Sequence, residues 1–175
     1  IKTRECKKIA MRKNLVNSKE IFEQPAWKIA KEVQNGRISA RGVAEQFIER
    51  TQLINPHIRA WVSLDEKYYL AQADEVDNNE VKGQLAGVPV GVKDIFNTEV
   101  YPTEMGTSIW KGHKAGNDAR CVSYVRREQG IIAGKTDTAE FAVHNPGSVK
   151  NPWNSAHVAG TSSGGSAAAV ATAMA

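Results

Sequence analysis

Two cysteines, Cys6 and Cys121, are all the thiols in this 175-residue chain. They are too few for a disulfide framework and match no cysteine-based metal motif, so a reducing, cytoplasmic compartment is the default. Histidine is equally sparse. His57, His113, His144 and His157 show no paired ligand spacing, and no metal site is expected. No apolar run approaches the length of a membrane span and no signal-peptide pattern is visible, so no membrane contact is expected either. Repeats and low-complexity stretches are absent. The chain also lacks an initial methionine, beginning at Ile1, which suggests a processed or incomplete N-terminus.

The composition is that of a globular protein, with 41% hydrophobic and 24% charged residues and enough length for one core. The net charge of +4 is not spread evenly. Residues 1–14 hold six basic groups (Lys2, Arg4, Lys7, Lys8, Arg12 and Lys13) against Glu5 alone, and the remainder holds 17 basic and 18 acidic residues. This is a solvated basic tail on a balanced body, which excludes a nucleic-acid footprint as the reading of the charge.

Hydrophobic spacing organises the rest. Ala26, Ile29, Ala30 and Val33 share one helical face, with Gly36 as a stop signal. Ser39 reads as the N-cap of a helix carrying Val43, Phe47, Ile48 and Ile54, halted by Asn55-Pro56. Residues 60–64 alternate like a short strand, and Asp65 starts a helix with Tyr69, Ala73 and Val76 in register. A strand over Gly87–Val92 ends at Lys93. Residues 100–117 read as a long loop. Asp118 is expected to cap a helix through Val122, Val125 and Gln129 that Gly130 closes, followed by a buried strand at 131–134. Strand, helix and strand in that order predict a parallel βαβ unit. Residues 144–159 again read as loop.

The segment Gly160-Thr161-Ser162-Ser163-Gly164-Gly165-Ser166, running into Ala167–Ala171, carries the strongest chemical signal. A phosphate loop would need Lys and then Ser/Thr after its last glycine, and Ser166-Ala167 stands there instead. A nucleophile elbow needs an acid and a histidine downstream, and residues 163–175 contain neither. A bland turn capping an Ala-rich helix, with Ser166 as N-cap, remains open. So does a serine–serine–lysine site. There Lys93, losing hydration at a strand's end, would act as a neutral base, unless it merely pairs with Asp94. The match of Ser108-Ile109-Trp110-Lys111 to S-x-x-K lacks its partner motifs and is taken as chance.

Four segments occur in order: Gly87–Asp94 (GVPVGVKD), Gly134–Ala142 (GKTDTAEFA), Asn151–Asn154 (NPWN) and Gly160–Ala171 (GTSSGGSAAAVA). Together they resemble the amidase signature family, strongly from about Leu85 to Ala175 and through the helices from Pro25 on. Residues 1–24 fall outside the likeness as a tail, leaving 25–175 as the N-terminal part of one amidase domain. The resemblance implies an α/β/α fold around a mixed sheet and a Ser–cis-Ser–Lys triad. By position, Lys93 resembles the general base and Ser162 the relay serine on a cis peptide bond. Ser163, Gly164, Gly165 and Ser166 would support them, with Thr161 standing where the family usually has a second glycine.

The acyl-forming serine of the family lies roughly two dozen residues past the relay serine, and with it the oxyanion donors; both would fall beyond Ala175. The resemblance therefore implies hydrolysis of a small-molecule amide without metal or organic cofactor, a chain inactive by itself, and room for a homo-oligomer. The A subunits of tRNA-dependent amidotransferases are an alternative within the family, and a non-catalytic, truncated module is another. Pro102–Thr107, standing where those subunits usually carry a Thr-Thr-Cys-Ala-Ser-like stretch, resembles general amidases more.

Overall fold

The computed structural model describes residues 20–143 and 145–175; the tail reading falls outside the described residues as far as residue 19, and so does Cys6. Helix α1 (Ala26–Gln34) buries Ile29, Ala30 and Val33, and Gly36 turns the chain at φ +66°. Ala26, expected on that face, is exposed at the first turn. Helix α2 (Ala40–Ile58) starts as the sequence requires: Ser39 Oγ accepts from the Gly42 N–H at 2.9 Å. Asp77 accepts from the Ala40 and Arg41 N–H groups at 2.7 and 2.9 Å. Three of the first turn's unpaired donors are thus satisfied, and a carboxylate sits at the positive end of the helix dipole. Val43, Phe47, Ile48 and Ile54 are buried. Ahead of α1, the single helical turn Ile21–Glu23 brings Phe22 edge-on to Phe47, ring centroids 6.3 Å apart.

Pro56 does not halt α2. It sits in the last turn, where a missing N–H forfeits one helical bond, and the helix ends two residues later with Arg59 at φ +60°. Asn55 Oδ1 then accepts from the Trp61 N–H at 3.0 Å and leads the chain into β1 (Trp61–Leu64). Helix α3 (Glu66–Asn78) is capped by Asp65, which accepts from the Tyr68 N–H at 3.0 Å, and buries Tyr69, Gln72, Ala73 and Val76.

Strand β2 (Pro89–Lys93) pairs in parallel with β3 (Ile131–Thr136) across helix α4 (Arg120–Arg127), the expected βαβ unit. Strand β1 pairs antiparallel with the other side of β3, giving a mixed three-stranded sheet of order β1-β3-β2. Every residue of β3 is buried, and the strand runs past the apolar stretch through Lys135 and Thr136. Ile131 and Ala133 join the larger core with α1–α3, whereas Ile132 joins Val92, Tyr101 and Val122 of α4 on the opposite side. Period-two alternation thus places helices against both faces of the sheet. Gln72 ties α3 to the centre, donating to Ile132 O at 3.0 Å and accepting from Ile132 N–H at 3.1 Å.

Both expected ends of α4 moved. The N-cap of α4 is Ala119; Asp118 instead accepts from the Glu99 N–H and from Arg126 Nε, a charge-assisted contact stronger than an exposed cap. The left-handed residue closing α4 is Gln129 rather than Gly130, whose Cβ position is only 2.7 Å from Val125 Cγ1. No helix among the described residues is long and apolar enough to cross a membrane.

A Cβ at Gly134 would land on the Ser63 carbonyl across the β1–β3 pair. Gly134→Ala is therefore expected to destabilise the chain by about 2 kcal/mol or more. Urea unfolding measures this, and an unchanged midpoint would contradict the close approach.

Candidate active site

Strand β2 delivers Lys93 at the C-terminal edge of the sheet, beside the end of β3 to which it is paired through Thr136. The Gly160–Ser163 turn arrives at the same edge because helix α5 (Gly164–Ala171) packs on β2 and β3. Two glycines allow that packing. A Cβ at Gly165 would meet the Asp137 backbone, and one at Gly164 would stand 3.0 Å from Val149 Cγ1. The helix begins earlier than expected from the alanine run, at Gly164, and stops at Ala171. Ser166 lies inside it, with its Oγ 2.7 Å from Thr136 Oγ1 rather than at a cap.

Lys93 Nζ donates to Ser162 Oγ and to Ser163 Oγ, both at 3.0 Å. The lysine is half-buried, and burial holds its ammonium below the ordinary lysine value. Lys93, Ser162 and Ser163 are thereby brought together. Gly164 and Gly165 shape the helix start, and Ser166 braces it against β3. The cis peptide bond implied at Ser162 is not present: every peptide bond among the described residues is trans. A non-proline cis bond costs about 3–4 kcal/mol and persists only where its surroundings impose it. Here Gly160, Thr161 and Ser163 are exposed, with nothing within 4 Å of a Cβ placed at Gly160.

Asp94, the rival partner for Lys93, is taken by another lysine. Lys135, 0% exposed, donates from Nζ to Asp94 Oδ1 at 2.9 Å, to Thr103 Oγ1 at 2.7 Å and to Pro102 O at 3.0 Å. All three ammonium protons are satisfied. Burial lowers the Lys135 pKa, and the Asp94 carboxylate opposes that fall. Asp94 accepts the Glu104 N–H through both oxygens, its own N–H reaches Thr136 O at 3.1 Å, and Met105 N–H reaches Asp94 O at 3.0 Å. The end of β2, the end of β3 and the loop at 102–105 are therefore one unit. Asp137, next along, is pushed up by burial while the backbone N–H groups of Val149, Ser148 and Thr138 pull it down.

Lys135, Asp137 and Thr138 escaped the reading by periodicity. Their signal was present nonetheless: four polar residues (135–138) directly continue a wholly apolar strand, and all are buried. Among the described residues no group of three or more His, Cys, Asp or Glu could hold a metal ion, and Cys121 is free and exposed.

Comparison with known proteins places the chain in a family. The Amidase family model matches residues 42–175, well over half of the chain, and the chain belongs to the amidase signature family. Among curated relatives, the A subunit of glutamyl-tRNA(Gln) amidotransferase from Coxiella burnetii (strain Dugway 5J108-111) is 36% identical over 152 residues, covering 82% of this chain and 32% of the relative. Among solved structures, 6-aminohexanoate cyclic dimer hydrolase complexed with its substrate superposes with a TM-score of 0.80 at 30% identity, covering 89% of this chain and 33% of that one. A protein from an inhibitor-bound vestigial complex, linked to the origins of an s-triazine catabolic enzyme, gives 0.81 at 30%, with 86% and 35% covered. The chain spans about a third of the length of the relatives it matches.

Breaking the buried pair from one side leaves an uncompensated charge. Lys135→Met and Asp94→Asn are each expected to cost about 3–5 kcal/mol. The double variant should cost less than their sum by more than about 1 kcal/mol. Urea unfolding of the four proteins measures the coupling; strict additivity would show that the two side chains do not act as a pair.

Proposed function

We propose that this chain carries the base and the relay of an amide-cleaving site. Lys93, neutral, accepts the Ser162 hydroxyl proton; Ser162 in turn accepts a proton from an acyl-forming serine and returns it to the leaving amine. The observation that carries this reading is the half-buried lysine placed 3.0 Å from both hydroxyls of the pair, with its pKa lowered by burial. The reaction is hydrolysis of a carboxylic amide through an acyl-enzyme, on a small-molecule substrate in a cytoplasmic setting. In a protein of the relatives' length, the acyl-forming serine and the oxyanion donors belong to sequence following Ala175.

A second reading has a specific observation behind it. The curated relatives are A subunits of glutamyl-tRNA(Gln) amidotransferase, which favours glutamine as the amide and a partner protein or acceptor for the released ammonia. The structural likeness to a cyclic-amide hydrolase and an aryl acylamidase favours hydrolysis of other amides. Both share the Lys93–Ser162 chemistry and differ in the amide they prefer. A panel of aliphatic, aryl and glutamine amides separates them.

In a protein of family length containing these residues, Lys93→Ala is expected to lower kcat/KM by about 10²-fold or more, with the far-ultraviolet circular dichroism unchanged. Because the neutral amine is the base, kcat/KM should rise with pH and reach its plateau below the ordinary lysine pKa. Near-normal turnover by the alanine variant would remove Lys93 from the role. The 175-residue chain alone is expected to form no hydroxamate from amides and hydroxylamine beyond a Ser162→Ala control. Turnover above that control would mean that a serine within the chain is the nucleophile, and Ser163, as close to Lys93 as Ser162, would be the first to replace.

A further inference from the structure

The serine pair stands in an exposed turn whose ties to the sheet are few. Gly164 N–H folds back to Thr161 O and Gly165 N–H reaches Asp137 O, each at a long 3.3 Å. The tie made by the pair itself is shorter: Thr138 Oγ1 donates to the Ser162 carbonyl at 2.9 Å. We propose that Thr138 is the positioning residue of this site, its hydroxyl clamping the Ser162 carbonyl and so setting where the Ser162 and Ser163 hydroxyls meet Lys93. The inference rests on the reading of Lys93 and Ser162 as base and relay.

Three features fit Thr138 to this task. It is 1% exposed, so no bulk water stands ready to replace its hydroxyl. Its one proton has a second acceptor, its neighbour's carbonyl at Ala139, but at a longer 3.1 Å. Both branches of its side chain are also engaged. The hydroxyl is on Ser162, and the methyl lies beside Gly106, where a Cβ would stand 3.2 Å from Thr138 Cγ2 and 2.8 Å from Thr138 O. A β-branched residue with both branches engaged is held in one χ1 well. Gly106, at φ +67°, belongs to the loop that Asp94 anchors through Met105. The clamp on Ser162 is therefore built on the same unit that frees Lys93.

Thr138→Val keeps the shape and deletes the donor; Thr138→Ser keeps the donor. The test uses the 175-residue chain in wild-type, valine and serine forms. It reads amide hydrogen exchange at Ser163, Gly164 and Gly165 together with the pH midpoint at which acetic anhydride modifies Lys93. The valine form is expected to exchange about tenfold faster at those amides, and its Lys93 should be modified at a higher midpoint as the amine loses its half-buried place. The serine form is expected to restore both. Unchanged readings in the valine form, or a serine form that behaves like valine, would overturn the proposal. Should the valine form not fold, Thr138→Ala and Thr138→Ser share the lost methyl and differ only in the hydroxyl; equal exchange and equal midpoints in that pair would overturn it as well. Neither readout needs turnover, so failure here is separate from failure of the Lys93→Ala test.

Discussion

The ion pair between Lys135 and Asp94 is the constraint on which the rest of the site depends. A buried ammonium is tolerated only when charge and hydrogen bonds both compensate for lost water, and Lys135 meets that condition with Asp94, Thr103 and Pro102 as its three acceptors. Because the pair consumes the carboxylate next to Lys93, the side chain of Lys93 is left to the serine hydroxyls. Because its partners come from the ends of two strands and the 102–105 loop, the pair also joins those three segments. Specificity of arrangement, more than net stabilisation, is what such a pair supplies.

The local elements were legible in sequence wherever one face was apolar and one cap was polar. Ser39 and Asp65 cap α2 and α3 as read, and the parallel βαβ unit follows from the order of strand, helix and strand. The partial burial of Lys93 was legible because a lysine at the end of an apolar strand is not fully solvated. Where side chains found distant partners, the reading missed. Asp118 left its expected cap for Glu99 and Arg126. The rival pairing of Lys93 with Asp94 is not formed, and Lys135 as the partner of Asp94 went unread, since period and spacing carry no information on which of two lysines a carboxylate will meet across a sheet. The cis bond came from resemblance alone, and the open space around the turn does not impose it.

The loop at 102–107 shows how a family-level signal can have a local physical basis. In sequence, Pro102–Thr107 resembles general amidases more than amidotransferase subunits. In the fold it supplies two of the three Lys135 acceptors and, at Gly106, the close approach to Thr138. A change in this stretch would disturb the acceptors of Lys135 and the packing on Thr138.

The central claim is that Lys93 is held against the serine pair in a partly dehydrated place while Lys135 holds Asp94. Its most direct test is a site-resolved titration of Lys93 through its ε-carbon in the unaltered chain. A midpoint below that of an ordinary lysine is expected, because burial penalises the ammonium. A midpoint at or above the ordinary value would place Lys93 in water or against a carboxylate, and would contradict its assignment as the base.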